Sequence, residues 1–139
     1  MSAALARFGL SDFFTRQLSV QELAHGNLAR ITDVQRTHVV SNSGRDAALI
    51  ALGNNWFRRP PENRPTVGDW VLLNKSNNKI LRLLERKSVF KRIAAGHDVN
   101  VQLIAANVDT LFIVTSCNDD FNESRLERYL ALALEAGVE

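Results

Sequence analysis

The chain has 139 residues, 45% hydrophobic and 23% charged, with a formal net charge of +2 and one cysteine. That balance suits one globular domain of ordinary size, or a small domain plus a fragment. It excludes a disulfide framework and a cysteine-rich zinc site, and no run of about 18 apolar residues could span a membrane.

Residues 1–24 read as an N-terminal helical arm broken into short pieces. Ser11 and Ser19 are candidate N-caps, and Ser19 with Glu22 makes a capping box. Phe8, Phe13, Phe14, Leu18 and Leu23 are available to pack on the strands expected downstream. The opening MSAALARFGL lacks the long apolar core of a secretory signal, so a cytoplasmic location is expected.

From 25 to 93 the pattern changes to short strands and turns. His25-Gly26-Asn27 reads as a turn. Strands are expected at Leu28–Val34, Thr37–Val40, Ala47–Leu52, Val67–Leu73 and Ile80–Leu84, separated by polar or glycine-containing turns. Five short strands in so few residues suggest a small barrel whose closure removes exposed edges. Spacing alone leaves an oligonucleotide-binding (OB) barrel and an SH3-like barrel both open. Trp70, in VGDWV, alternates with apolar neighbours and belongs in the core. The longest interruption, NNWFRRPPENRPT over 54–66, carries three prolines, which exclude a central strand, and reads as a functional surface loop.

Residues 94–104 form a connector, with a turn at Gly96. Val99–Ile104 is either a short strand or part of a crossover. In 105–139, AANVDTLFIVTSCNDDF holds an almost wholly apolar run, Val108–Val114, as in a parallel strand covered on both faces. A helix comes next. Asn122 is its N-cap, Phe121 and Leu126 form a staple, Leu126, Tyr129, Leu130 and Ala133 make one stripe, and Gly137 closes it. A buried strand needs parallel neighbours that this chain does not go on to supply, so the sequence reads as cut in mid-domain.

Catalytic signals are weak. No GxxxxGK[ST] loop is present to cradle phosphates. His25, His38 and His97 are scattered. Ser116-Cys117 lacks a glycine elbow, so Cys117 reads as a buried or capping thiol. Charge is more informative. Residues 54–100 carry ten Lys or Arg against four acids, net +6, whereas 101–139 carry two against seven, net −5. A polyanion is the natural partner of the middle segment. Arg58, Arg59 and Arg64 share a loop with Trp56 and Phe57; Lys75 and Lys79 flank a turn; Arg86, Lys87, Lys91 and Arg92 bracket Phe90. Cations fix phosphates and aromatic faces stack on unpaired bases, so these twelve positions are the candidate RNA-binding residues.

Val67-Gly68-Asp69-Trp70-Val71, then Glu85-Arg86-Lys87-Ser88 with Arg92, then AANVDTLFIV and Phe121-Asn122-x-x-Arg125-Leu126-x-Arg128-Tyr129-Leu130 occur in this order. The ordered set resembles the ribosome small subunit-dependent GTPase A family over residues 28–139, and FGLSDFF resembles one branch of it. The resemblance implies a mainly β fold: a five-stranded OB barrel at 25–93 behind the N-terminal arm, then at 105–139 the first strand and helix of a truncated, circularly permuted α/β G domain. Asn107–Thr115 would be that strand and Asn122–Ala136 that helix. It also implies the small ribosomal subunit and its rRNA as partners in late subunit maturation. GTP, magnesium and a structural zinc are implied for the full-length family, monomeric when whole. No family residue that contacts them can be carried onto this chain, so it alone should be inactive, and its uncovered apolar strand should favour self-association. The competing reading is a free-standing OB-fold RNA-binding module without nucleotide hydrolysis.

Overall fold

A computed structural model describes residues 3–94 and 100–138, the side chain of Ala94 excepted. The arm folds as three short helices, α1 (Ala3–Arg7), α2 (Asp12–Thr15) and α3 (Val20–His25). The capping box is formed: the Glu22 amide donates to the Ser19 hydroxyl at 3.1 Å, and the Ser19 amide donates to the Glu22 carboxylate at 2.8 Å. Ser11 caps α2 without a side-chain hydrogen bond. The chain then passes from α3 straight into β1 (Gly26–Val34), so the turn expected at His25-Gly26-Asn27 is absent. Gly26 is extended, and its missing Cβ makes room for Leu72, whose Cδ1 would lie 2.6 Å away.

The strands β2 (His38–Asn42), β3 (Ala47–Ala51), β4 (Trp70–Asn74) and β5 (Ile80–Leu83) complete an antiparallel sheet of order β3-β2-β1-β4-β5. A single helical turn, α4 (Asn54–Phe57), lies between β3 and β4. All five strands lie where the short runs between turn residues put them, within a few residues. The expected closed barrel is not seen: no ladder joins β3 to β5 among the described residues, so hydrogen bonding leaves the sheet open.

Interior strand β4 is buried on both faces, which explains its unbroken WVLL. Successive side chains point to opposite sides of a strand. Val71 and Leu73 join Ala29, Ile31, Val39 and Ile50 in one core. Trp70 faces the other way, into a second core with Leu28, Leu84, and Leu5 and Phe14 of the arm. The arm is therefore a structural cover for a sheet face that would otherwise be wet, although Phe13 and Leu23 remain partly exposed.

After β5 the chain forms a separate antiparallel hairpin, β6 (Val89–Ala94) and β7 (Asn100–Ala106). The region read as a connector is thus in large part a two-stranded ladder. Gly96 and Val99 lie outside the described residues. A backbone bond fastens the hairpin to the sheet, the Ala106 amide donating to Val67 O at 2.8 Å, and the Asn107 amide closes the hairpin's own base on Ser88 O at 2.8 Å.

No strand forms over 107–115. The strand read there would need a neighbour to take up its amides and carbonyls, and none of the described segments pairs with it. Phe112 is 85% and Val114 92% exposed. The helix does form, as α5 (Glu123–Ala136). Asn122 Oδ1 accepts from the Arg125 amide at 3.0 Å, and Gly137 terminates it at φ 68°. Its stripe is only partly used: Ala133 is buried, Tyr129 and Leu130 are exposed, and the helix rests against β6.

Candidate nucleic-acid interface

The 54–66 loop is ordered by its own residues. It opens with the α4 turn and continues into a 3-10 turn at Pro61–Asn63. Arg64 folds back on the loop, donating from Nη2 to Phe57 O at 2.8 Å and from Nε to Arg59 O at 3.1 Å. Trp56 is buried beneath Arg59, whose guanidinium carbon sits 4.2 Å from the ring centroid, a cation–π pair. Phe57, Arg58 and Arg59 remain exposed. The loop thus presents an aromatic face and two cations on a backbone held in place.

Arg86 joins this loop to the strands. It grips Asp69 through two parallel bonds, 2.8 Å from Nε to Oδ1 and 2.7 Å from Nη2 to Oδ2, and donates to the carbonyls of Glu62 and Arg64. Asp69 is fully buried and also accepts from the Thr66 amide at 2.7 Å. Lys91 lies 3.5 Å from Glu62, which brings β6 beside the 3-10 turn.

A second hub lies nearby. Arg30 of β1 donates to Gly68 O at 3.0 Å, to Asn107 O at 2.9 Å and to Phe8 O, binding arm, sheet and hairpin together. Burial pulls Arg30 below the usual arginine pKa, while nearby Asp109 and Asp69 act in the opposite sense. Arginine stays charged through such shifts. Asn107 adds three bonds of its own: Nδ2 donates to Gly68 O at 3.0 Å, Oδ1 accepts from the Lys87 amide at 2.8 Å, and its own amide reaches Ser88.

These contacts divide the candidate residues. Four do not present a free recognition group. Phe90 and Trp56 are buried, so neither ring is open to a base. The guanidinium of Arg86 is spent on Asp69 and two carbonyls, because an unpaired buried carboxylate would be costly. Arg64 is spent on the loop it stiffens. Lys75 is partly diverted, donating from Nζ to Ala24 O at 2.7 Å at the end of α3. Phe57, Arg58, Arg59, Lys79, Lys87 and Arg92 are exposed, and Lys91 is half-buried. The loop and the Arg86–Arg92 stretch are brought together; Lys75 and Lys79 sit apart on the β4–β5 turn. Trp70 is in the core, as its alternation requires. Cys117 is exposed rather than buried.

The sequence reading assigned no binding role to α5, yet Arg125 and Arg128 project from it toward Lys91 and Arg92. These four cations line an open groove of about 580 Å³ between α5 and β6. Their i, i+3 spacing was legible, but the net acidity of 101–139 masks it. Among the described residues no group of three or more His, Cys, Asp or Glu could hold a metal ion. With no phosphate loop in the sequence either, the residues present do not fit GTP, magnesium or zinc.

A family model described as RsgA GTPase matches residues 83–139. The small ribosomal subunit biogenesis GTPase RsgA 2 of Vibrio vulnificus (strain CMCP6) is 43% identical over 137 residues, covering 97% of this chain and 37% of that protein. A relative in Mesorhizobium japonicum is 45% identical over 142 residues, covering 99% of this chain and 38% of its own length. One in Xylella fastidiosa (strain M23), also a small ribosomal subunit biogenesis GTPase RsgA, is 52% identical over 114 residues, covering 80% and 34%. The chain therefore spans little more than a third of the length of these curated relatives.

Proposed function

We propose, from the premise that this chain is an N-terminal portion of an RsgA-family protein, that it docks the protein on the RNA of the small ribosomal subunit. In this reading the five-stranded sheet is an OB-type module, for which antiparallel pairing of β1 with both β2 and β4 is the support. GTP binding and hydrolysis, with their magnesium, and any structural zinc reside in residues outside this chain. The setting is the cytoplasm, where late maturation of the subunit takes place.

The observation that carries the reading is the stiffened loop. Arg64 holds the backbone while Phe57, Arg58 and Arg59 face outward. Affinity for RNA gains when recognition groups need no ordering on binding. Cations there neutralise phosphates, and an exposed ring offers a face to an unstacked base.

The test is binding to small-subunit rRNA by fluorescence anisotropy across a salt series. If about four phosphates are neutralised, log K should fall with log salt at a slope near −0.7 × 4, roughly −3. Arg58→Gln with Arg59→Gln should flatten that slope, and Arg64 is left intact because it shapes the loop. No saturable binding to the RNA by the unsubstituted chain would overturn the reading. Calorimetric titration with GTP and magnesium should give no saturable heat; micromolar binding would sink the assignment of GTP to other residues.

A further inference from the structure

The groove between β6 and α5 has walls from two elements that the sequence separates by 28 residues. Lys91 and Arg92 come from the strand, Arg125 and Arg128 from the helix. Successive helical turns place residues three apart on one face, so the two arginines stand side by side. Neither makes a side-chain ion pair or hydrogen bond among the described residues. Across the groove Lys91 reaches Glu62 only at 3.5 Å, and Arg92 donates to the neutral Gln102 at 2.7 Å. Tyr129 is 45% exposed in the same wall, and Glu135 is the one carboxylate that lines the groove. Arg125 and Arg128 stand on the helix wall without an acidic partner, in a segment that is otherwise acidic, while on the strand Lys91 pairs with Glu62 and Arg92, the next residue, takes the opposite side.

We propose that this groove is a second RNA site, which takes the phosphate backbone of a single strand on Arg125 and Arg128 of the helix, against the basic strand β6 that carries Lys91, with Tyr129 as a stacking face. The occupant is dictated by charge and shape. Like charges brought together repel unless a polyanion lies between them. The groove is open to solvent rather than enclosed, so a strand can enter it from the side. Aromatic faces beside cations are the general means of holding unpaired bases. The inference rests on the RNA-docking reading and gives it a site that the loop alone does not supply.

The test uses the whole chain and a fluorescein-labelled polyuridine oligomer, with anisotropy read across a salt series. At 0.1 M salt each phosphate neutralised on a single strand contributes about 0.7 log units, so Arg125→Gln with Arg128→Gln should weaken binding about 25-fold and flatten the slope by about 1.4. Lys91→Gln, on the opposite wall, should cost about 5-fold by the same arithmetic. Glu135→Gln should tighten binding, an effect that damage to the fold could not mimic. Circular dichroism of each variant should match the unsubstituted chain. If the oligomer binds but none of these substitutions changes affinity or slope, while Arg58→Gln with Arg59→Gln does, the groove is not a site and the docking reading stands. If the unsubstituted chain binds neither this oligomer nor small-subunit rRNA, both fall. If heparin displaces the oligomer yet Tyr129→Leu leaves its affinity unchanged, the groove is a general polyanion site and the strand assignment is wrong.

Discussion

Arg86 and Asp69, seventeen residues apart, form a two-pronged ion pair with bonds of 2.8 and 2.7 Å, the carboxylate fully buried and the guanidinium largely so. Asp69 comes directly after the Gly68 turn at the head of β4, and Arg86 leaves the end of β5. The pair thus locks both ends of the β4–β5 unit to the 62–64 stretch. Removing one partner of such a pair leaves an uncompensated charge in the interior. Arg86→Met should destabilise the chain by about 3–5 kcal/mol, whereas Arg86→Met combined with Asp69→Leu should recover part of that loss. Urea unfolding followed by tryptophan fluorescence would measure both. A single variant as stable as the parent would show that the pair is not what holds the loop.

Gly68 is the second point where the hairpin meets the sheet. Its φ is +92°, and a Cβ there would stand 2.0 Å from the carbonyl oxygen of Ala106. Gly68→Ala should be destabilising, since a strained backbone conformation costs about 1–3 kcal/mol and here the backbone of β7 must also retreat. Hydrogen exchange should accelerate at the Ala106 and Asn107 amides, which bond to Val67 and Ser88. Unchanged protection at both would refute this account of the junction.

The arm should loosen in acid. The Ser19 amide, and then the Arg82 guanidinium 2.6 Å away, hold the Glu22 carboxyl below the usual glutamate range. A carboxyl whose folded pKa lies below its unfolded one stabilises the fold above the unfolded value of about 4.3, and that contribution fades as pH falls through the folded value. Amide protection across Val20–His25 should therefore decline in that acid window. In Glu22→Gln the decline should be absent. A pH-independent α3 in the parent would count against the capping box as a stabilising device.

Residues 108–115 should exchange fastest of the apolar segments. They pair with no strand among the described residues, and Phe112 and Val114 stand in water. Burying a Leu, Ile or Phe side chain contributes about 1.5–3 kcal/mol, and only against something that covers it. An uncovered apolar run is also a route to self-association, so sedimentation should report concentration-dependent oligomers. In dilute monomer, amides at Val108–Thr115 should be fast and those of β1 and β4 slow. Equal protection would mean that this segment docks on the sheet.

The sequence by itself determined what short-range chemistry can specify. Short strand-forming runs bounded by turn residues located β1 to β5, because both the runs and the turns are written locally. Ser19 with Glu22, Asn122 and Gly137 marked helix ends, because caps are bonds between residues three or four apart. The family signature was legible for a related reason: Gly68, Asp69, Arg86 and Asn107 each meet demands that few other side chains satisfy. The tertiary structure alone decided which polar groups are spent and which are free. Arg86 and Arg58 look alike in the chain, yet one neutralises a buried carboxylate and the other faces solvent. Phe90 and Phe57 differ in the same way. It also decided that an apolar run need not be a strand. Val108–Val114 has the composition of a buried strand, but a strand exists only where a neighbour takes up its backbone hydrogen bonds, and no local pattern can supply that neighbour.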